Sequence, residues 1–147
     1  MLSSTYRPQC VFCRIVAGEE PASVICEDDE ILVFLDINPL TRGHALVVPK
    51  AHVVDIYGAS DGQAAAMMIT GARVARAARS ALDCVGVNLW MANERPAGQV
   101  VMHAHLHVIP RYPDDGFGLR RWSTGGRPSR AELDQVAARI GEHLEGH

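Results

Sequence analysis

Three histidines stand at alternate positions in His103-Ala104-His105-Leu106-His107-Val108-Ile109-Pro110-Arg111. At the two-residue period of a β-strand, their imidazoles share one face while Ala104, Leu106 and Val108 line the other. The spacing predicts one buried strand, His103 to Arg111, that carries a reactive surface. Packing alone is a costly explanation for three rings, because each brings polar nitrogens that need partners when buried. Two chemistries suit the pattern. Alternate residues on a strand can converge on one metal ion, or one imidazole can act as a nucleophile flanked by helpers.

Other residues of the same chemical kinds surround this stretch. Cys10-Val11-Phe12-Cys13 has the two-residue gap that suits tetrahedral zinc and dithiol redox chemistry. The redox motif wants a preceding strand, and only Ser, Thr, Arg, Pro and Gln come before it; two inert thiols are the plain alternative. One CxxC supplies half of a structural site, so zinc would need two further ligands. Cys26 and Cys84 stand alone in apolar stretches and read as buried packing thiols. Asp36 falls at a strand end before Ile37-Asn38-Pro39, either an ordinary turn residue or part of a site. His44 and His52 bracket Ala45-Leu46-Val47-Val48-Pro49.

The elements that must position these groups follow from pattern. Val24-Ile25-Cys26 and Ile31–Leu35, joined by the acidic turn 27–30, read as an antiparallel hairpin. Ala45–Pro49 and Val85–Met91 read as further strands, and Arg14–Gly18 as a short helical turn closed by glycine. Ser60-Asp61-Gly62-Gln63 has the form of a capping box, and the helix behind it stripes Met67, Met68, Gly71, Val74, Ala75, Ala78 and Leu82. Arg73, Arg76 and Arg79 fall off that stripe as its solvated face. Ser129-Arg130-Ala131-Glu132 opens a final helix striped by Leu133, Val136, Ala137, Ile140 and Leu144. Asn93–Gln99 and the segments around Trp122 read as loops.

With 147 residues and 48% hydrophobic content, one domain spanning 1–147 is expected, with its core at about 10–120 and a loop and helix over 121–147. A net charge of −3 gives no broad basic field, which argues against nucleic-acid or anionic-membrane partners. No apolar run approaches the roughly 20 residues that span a bilayer, and the N-terminal stretch has no apolar leader core. A cytoplasmic location is expected, where thiols stay reduced.

The His103-x-His105-x-His107 stretch, preceded by Gly98-Gln99, resembles the histidine triad (HIT) family of nucleotide hydrolases and transferases. Phe12, Leu35-Asp36-Ile37, Gly43-His44, Val48-Pro49-Lys50-x-His52 and Asn93 fall in the family's order and spacing. The likeness covers about residues 10–120 and is strongest to bacterial members with an N-terminal CxxC. It implies an α+β, HIT-like fold: a five-stranded antiparallel sheet with one long helix and a C-terminal helix, assembled as a homodimer. It also implies a purine nucleotide substrate, a nucleoside 5′-phosphate joined at its α-phosphorus to an amine, a phosphate or an acyl group. His105 would form a nucleotidyl-imidazole intermediate, with His107, His44 and His103 completing the catalytic group. Phe12, Ile37 and Leu46 would line the base pocket, Asp36 would accept the ribose hydroxyls, and Asn93 and the amides of Gly98, Gln99 and Val100 would hold phosphate. Val100 stands where a common family pattern has Ser or Thr, which bears on the leaving group. The chemistry needs no catalytic cofactor, and the bacterial likeness implies a structural zinc held by Cys10, Cys13, His52 and His103. The rival readings are a metal-dependent hydrolase using all three strand histidines and a nucleotide sensor or adaptor with little turnover.

Overall fold

A computed structural model of the chain describes residues 4–116 and 127–144. Two compact units are distinguished, Met1–Phe117 and Gly118–His147. Of the second, the described part is helix α3, Arg130–Glu142, opened by Ser129, whose hydroxyl accepts from the Glu132 N–H while the Glu132 carboxylate accepts from the Ser129 N–H. Most of the loop expected around Trp122 lies outside the described residues.

The first unit holds α1 (Val11–Val16), β1 (Val24–Glu27), β2 (Ile31–Leu35), β3 (Ala45–Pro49), α2 (Asp61–Leu82), β4 (Gly86–Trp90) and β5 (Leu106–Arg111). The strands form one antiparallel sheet in the order β1-β2-β3-β5-β4. Strict alternation sends Ile31, Val33, Ala45, Val47, Leu106 and Val108 to one face, where Met67 and Val74 of α2 pack on them. Leu32, Phe34, Leu46 and Val48 go to the other face, where Phe12 closes a smaller cluster with Cys10, Val11, Ile15 and Val16 around it. Both faces of β2 and β3 are thus covered, which is why those strands read as continuous apolar runs. The capping box at Ser60 forms as expected. No helix among the described residues is long and apolar enough to cross a membrane.

Several local expectations change. Helix α1 begins at Val11 rather than Arg14, because Cys10 is its N-cap and its sulfur accepts from the Cys13 N–H. Met68 is exposed and Thr70 is buried in its place on α2. Cys26 is exposed, not packed, because β1 is an edge strand whose four residues all face solvent; Cys84 is buried as expected. The histidine strand is regular only from Leu106. Its expected first half is displaced because the Ala104 N–H bonds the Val53 carbonyl at 2.7 Å instead of a sheet partner.

Candidate active site

Across the sheet, β5 pairs His107 with Leu46 of β3 on one side and with Trp90 of β4 on the other. His107 therefore stands on the face that α1 covers, with the Trp90 ring centred 4.9 Å away and tilted by 36°. Phe12 of α1 meets His105 edge-on at 5.2 Å and His103 at 5.9 Å. His44 arrives from the loop before β3, and that loop is closed on itself. The Asp36 N–H donates to the His44 carbonyl at 2.9 Å, and the Thr41 hydroxyl donates to the Pro110 carbonyl at 2.6 Å. Gly43 makes the closure possible: at φ 85°, a Cβ there would also collide with the Leu82 side chain.

The hydrogen bonds fix which nitrogen of each ring carries the proton. The Leu40 N–H can only donate, so His44 Nδ1 accepts it at 3.0 Å and the neutral ring holds its proton on Nε2. That proton is donated to His107 Nδ1 at 2.8 Å, which places the His107 proton on Nε2. His105 Nδ1 lies 2.7 Å from the His103 carbonyl, which can only accept, so His105 Nδ1 is protonated and Nε2 carries a bare lone pair. His103 Nε2 likewise donates to the Pro49 carbonyl at 2.8 Å, leaving Nδ1 bare. Asp36 Oδ2 is 3.6 Å from His44 Nε2, too long for a hydrogen bond while that nitrogen serves His107; Asp36 Oδ1 instead accepts from the Asn38 N–H.

Burial keeps all these rings neutral near pH 7. It lowers the His103 and His107 pKa values to about 4. Burial also lowers those of His105 and His44, opposed in both cases by the nearby Asp36 carboxylate. A neutral imidazole with its lone pair fixed on one nitrogen is a competent nucleophile at that pH.

The bare Nδ1 of His103 faces a second group. Cys10 Sγ lies 3.3 Å from it and Cys13 Sγ 3.7 Å, while His52 Nδ1 lies 3.3 Å from Cys13 Sγ. One atom from each of Cys10, Cys13, His52 and His103 falls within 4.8 Å of the others. Two sulfurs and two imidazole nitrogens are a donor set that suits tetrahedral zinc, and the His103 tautomer already offers a lone pair. Asp36, His44 and His107 also converge within 4.8 Å. There the Leu40 N–H occupies His44 Nδ1, so the proton sits on the nitrogen an ion would need. Neither group contains all three of His103, His105 and His107, which disfavours one ion shared by the triad.

Other predicted residues divide. Phe12 and Leu46 are buried together, whereas Ile37 is 91% exposed, so these three do not line a closed pocket in the single chain. Asn93 Oδ1 accepts from the Ile56 N–H at 2.8 Å, tying its loop to the segment after His52. The N–H groups of Gly98 and Gln99 are already spent on the Arg95 and Glu94 carbonyls, and Gln99 is buried. Trp90 and the Leu40 N–H were not anticipated: a strand-end Trp in a short alternating strand gave only a weak signal, and a backbone donor gave none. A separate cleft of about 420 Å³, walled by Tyr6, Cys13, Lys50 and Gln63 among others, contains none of His44, His105 or His107.

A family model described as HIT domain matches residues 17–114. The chain belongs to the HIT family. Over 146 residues it is 40% identical to the adenylylsulfatase HINT3 of Arabidopsis thaliana, which covers 99% of this chain and 72% of that protein. The crystal structure of SMU.412c from Streptococcus mutans UA159 superposes with a TM-score of 0.90 at 38% identity, covering 99% of this chain and 91% of that one. A Zn-bound histidine triad family protein from Mycobacterium smegmatis superposes with a TM-score of 0.73 at 41% identity, covering 92% and 98%. The expected HIT-like α+β fold with a five-stranded antiparallel sheet is therefore the observed one.

Proposed function

We propose that this HIT protein hydrolyses nucleoside 5′-phosphate derivatives through a covalent nucleotidyl intermediate on His105. The observation that carries the reading is the fixed tautomer pair: a bare Nε2 on His105 beside a protonated Nε2 on His107. His105 Nε2 attacks the α-phosphorus, the bond to the leaving group breaks, and the leaving group departs with its electron pair. The ring becomes cationic, and its charge is met by the His103 carbonyl that accepts the Nδ1 proton. His107 donates its Nε2–H to a phosphate oxygen, where charge accumulates. Water then attacks phosphorus, the N–P bond breaks with its electrons returning to Nε2, and a nucleoside monophosphate and a proton are released. Asp36 accepts the ribose hydroxyls.

Leaving groups that depart as stable anions suit this site best. Every imidazole is neutral, so none is a strong acid for an amine, and Val100 offers no hydroxyl. Sulfate, phosphate and carboxylate need no proton to depart, which agrees with the adenylylsulfatase relative. The four-ligand cluster is proposed to hold a structural zinc, with Cys10, Cys13, His52 and His103 as ligands; the zinc-bound relative and the His103 tautomer support this. Such a closed site would contribute stability and leave no open position for water. The purine specificity of the ligand and assembly as a homodimer belong to the same proposal.

The test is single-turnover kinetics with adenosine 5′-phosphosulfate. Alkaline-quenched intact mass should show an adenylylated chain, with the adduct mapped to His105. The His105→Ala variant should fold, form no adduct and lose at least about a thousandfold in turnover, about 4 kcal/mol of transition-state stabilisation. Activity within about tenfold of wild type would overturn the mechanism.

A further inference from the structure

Gln99 stands in the loop beside the triad, yet its side chain faces the interior and is 2% exposed. Its carboxamide is fully used. Oε1 accepts from the Glu94 N–H at 2.8 Å, and Nε2 donates to the carbonyls of Val54 at 2.6 Å and Val101 at 3.1 Å. One side chain thus ties both ends of the 94–101 turn to the segment that follows His52. Glu94 pays for this closure in conformation, for it sits at φ 72° and ψ 155°, a region that essentially only glycine adopts. Such strain persists where surrounding bonds over-determine the backbone. Here they are the Gln99 acceptor on the Glu94 N–H and two donors, the Ala97 and Gln99 N–H groups, on the Glu94 carbonyl.

Of the three amides that the sequence assigned to phosphate, those of Gly98, Gln99 and Val100, one is left over. The N–H groups of Ala97, Gly98 and Gln99 are internally satisfied, whereas among the described residues no acceptor meets the Val100 N–H. Val100 itself is 81% exposed, so the chain turns outward immediately after the buried glutamine. The turn lies against the site: a Cβ built on Gly98 would stand 3.7 Å from Trp90 Cη2, and Trp90 leans on His107. An unbonded N–H on an exposed residue of a turn that packs on the Trp90 ring, itself against the donor imidazole, is a place for an anionic oxygen.

We infer that Gln99 is a positioning residue: its buried carboxamide holds Glu94 in a glycine-like conformation and thereby presents the Val100 N–H to the ligand's phosphate. The inference rests on the nucleotide reading above. It replaces the sequence expectation that Gly98, Gln99 and Val100 all offer amides, and it separates phosphate recognition from recognition of base and ribose.

The probes are adenosine 5′-monophosphate and adenosine, compared by calorimetry. Wild type should bind the monophosphate at least about tenfold more tightly than the nucleoside. Gln99→Ala should bring the two affinities within about threefold while leaving that for adenosine unchanged, a split that general destabilisation would not produce. Gln99→Ala with the wild-type ratio overturns the inference. The wild-type protein provides a second readout that does not depend on the variant's folding. In amide-resolved NMR titrations, the Val100 N–H should shift with the monophosphate and not with adenosine, and the absence of a phosphate-dependent shift there also overturns the inference. Wild type that binds the monophosphate no more tightly than adenosine refutes the nucleotide reading itself, and this inference falls with it.

Discussion

His44→Ala tests whether the histidine chain works by fixing protons. The substitution removes two bonds at once: the acceptor for the Leu40 N–H and the donor that holds His107 Nδ1. His44 is nearly fully buried, so neither orphaned group regains a full water partner, and each costs about 1–3 kcal/mol. Unfolding free energy should fall by roughly 2–5 kcal/mol, including the space vacated by the ring. The chemical effect is smaller than loss of the nucleophile. His107 is freed to place its proton on Nδ1, and one donor to the phosphate weakens, so turnover should drop about ten- to hundredfold, or about 1.4–2.7 kcal/mol. His44→Gln separates the effects, since its amide nitrogen can still donate to His107 while the Leu40 N–H loses its partner. It should recover most of the turnover and little of the stability. Urea denaturation and single-turnover rates on the same preparations provide both numbers. Turnover unchanged in His44→Ala, or lost as completely as in His105→Ala, would refute the reasoning: the first makes the relay irrelevant, and the second makes His44 a direct chemical participant.

Three further outcomes are expected. The His107 pKa is depressed from 6.5 to about 4 by burial, so the folded state binds fewer protons than the unfolded one in that window. Stability should be fully present above pH 6.5 and decline as pH falls toward 4, by up to about 3 kcal/mol relative to His107→Gln; equal urea midpoints for the two proteins at pH 7 and 4.5 would contradict this. Elemental analysis of untagged protein should find close to one zinc per chain, lost in the Cys10→Ser, Cys13→Ser double variant, and chelation should lower the melting temperature more than the turnover of the folded fraction. Sedimentation equilibrium should show a dimer of the 16.0 kDa chain, because β4 is an unpaired sheet edge with Leu89 and Trp90 partly exposed; a lone monomer at micromolar concentration would exclude it.

What the sequence made legible was what local pattern determines. The hairpin, the two capping boxes and the alternation of β3 and β5 follow from turn chemistry, side-chain reach and the two-residue period. The CxxC was legible as half of a ligand set from its donor types, and the family likeness pointed to His52 and His103, which the fold brings within 4.8 Å of the two cysteines. Cys26 was misplaced because an apolar neighbourhood does not reveal which strand lies at an edge. Gln99 marks a limit of another kind, because motif position says that a residue is near the site, not whether its side chain or its neighbour's amide faces the ligand. The proton positions were illegible in principle, since they depend on Pro49 O, His103 O and the Leu40 N–H, backbone atoms that any residue supplies.

The alternate spacing of the three histidines also concealed a division of labour. In one continuous strand, three like rings on one face would compete for the same partners. The chain instead leaves the sheet at Ala104, whose N–H bonds the Val53 carbonyl. His103 is thereby directed to the cysteines, and its carbonyl is freed to orient His105. His107, still paired in the sheet, takes its proton position from His44 on the opposite side. The same bond joins the residues that follow His52 and His103, so the segments carrying two proposed metal ligands are the ones that set the nucleophile's backbone. Under the proposed function, zinc at that cluster would act on catalysis only through where it holds residues 52–54 and 103–105, a purely positional influence that would leave the His105 lone pair to do the chemistry.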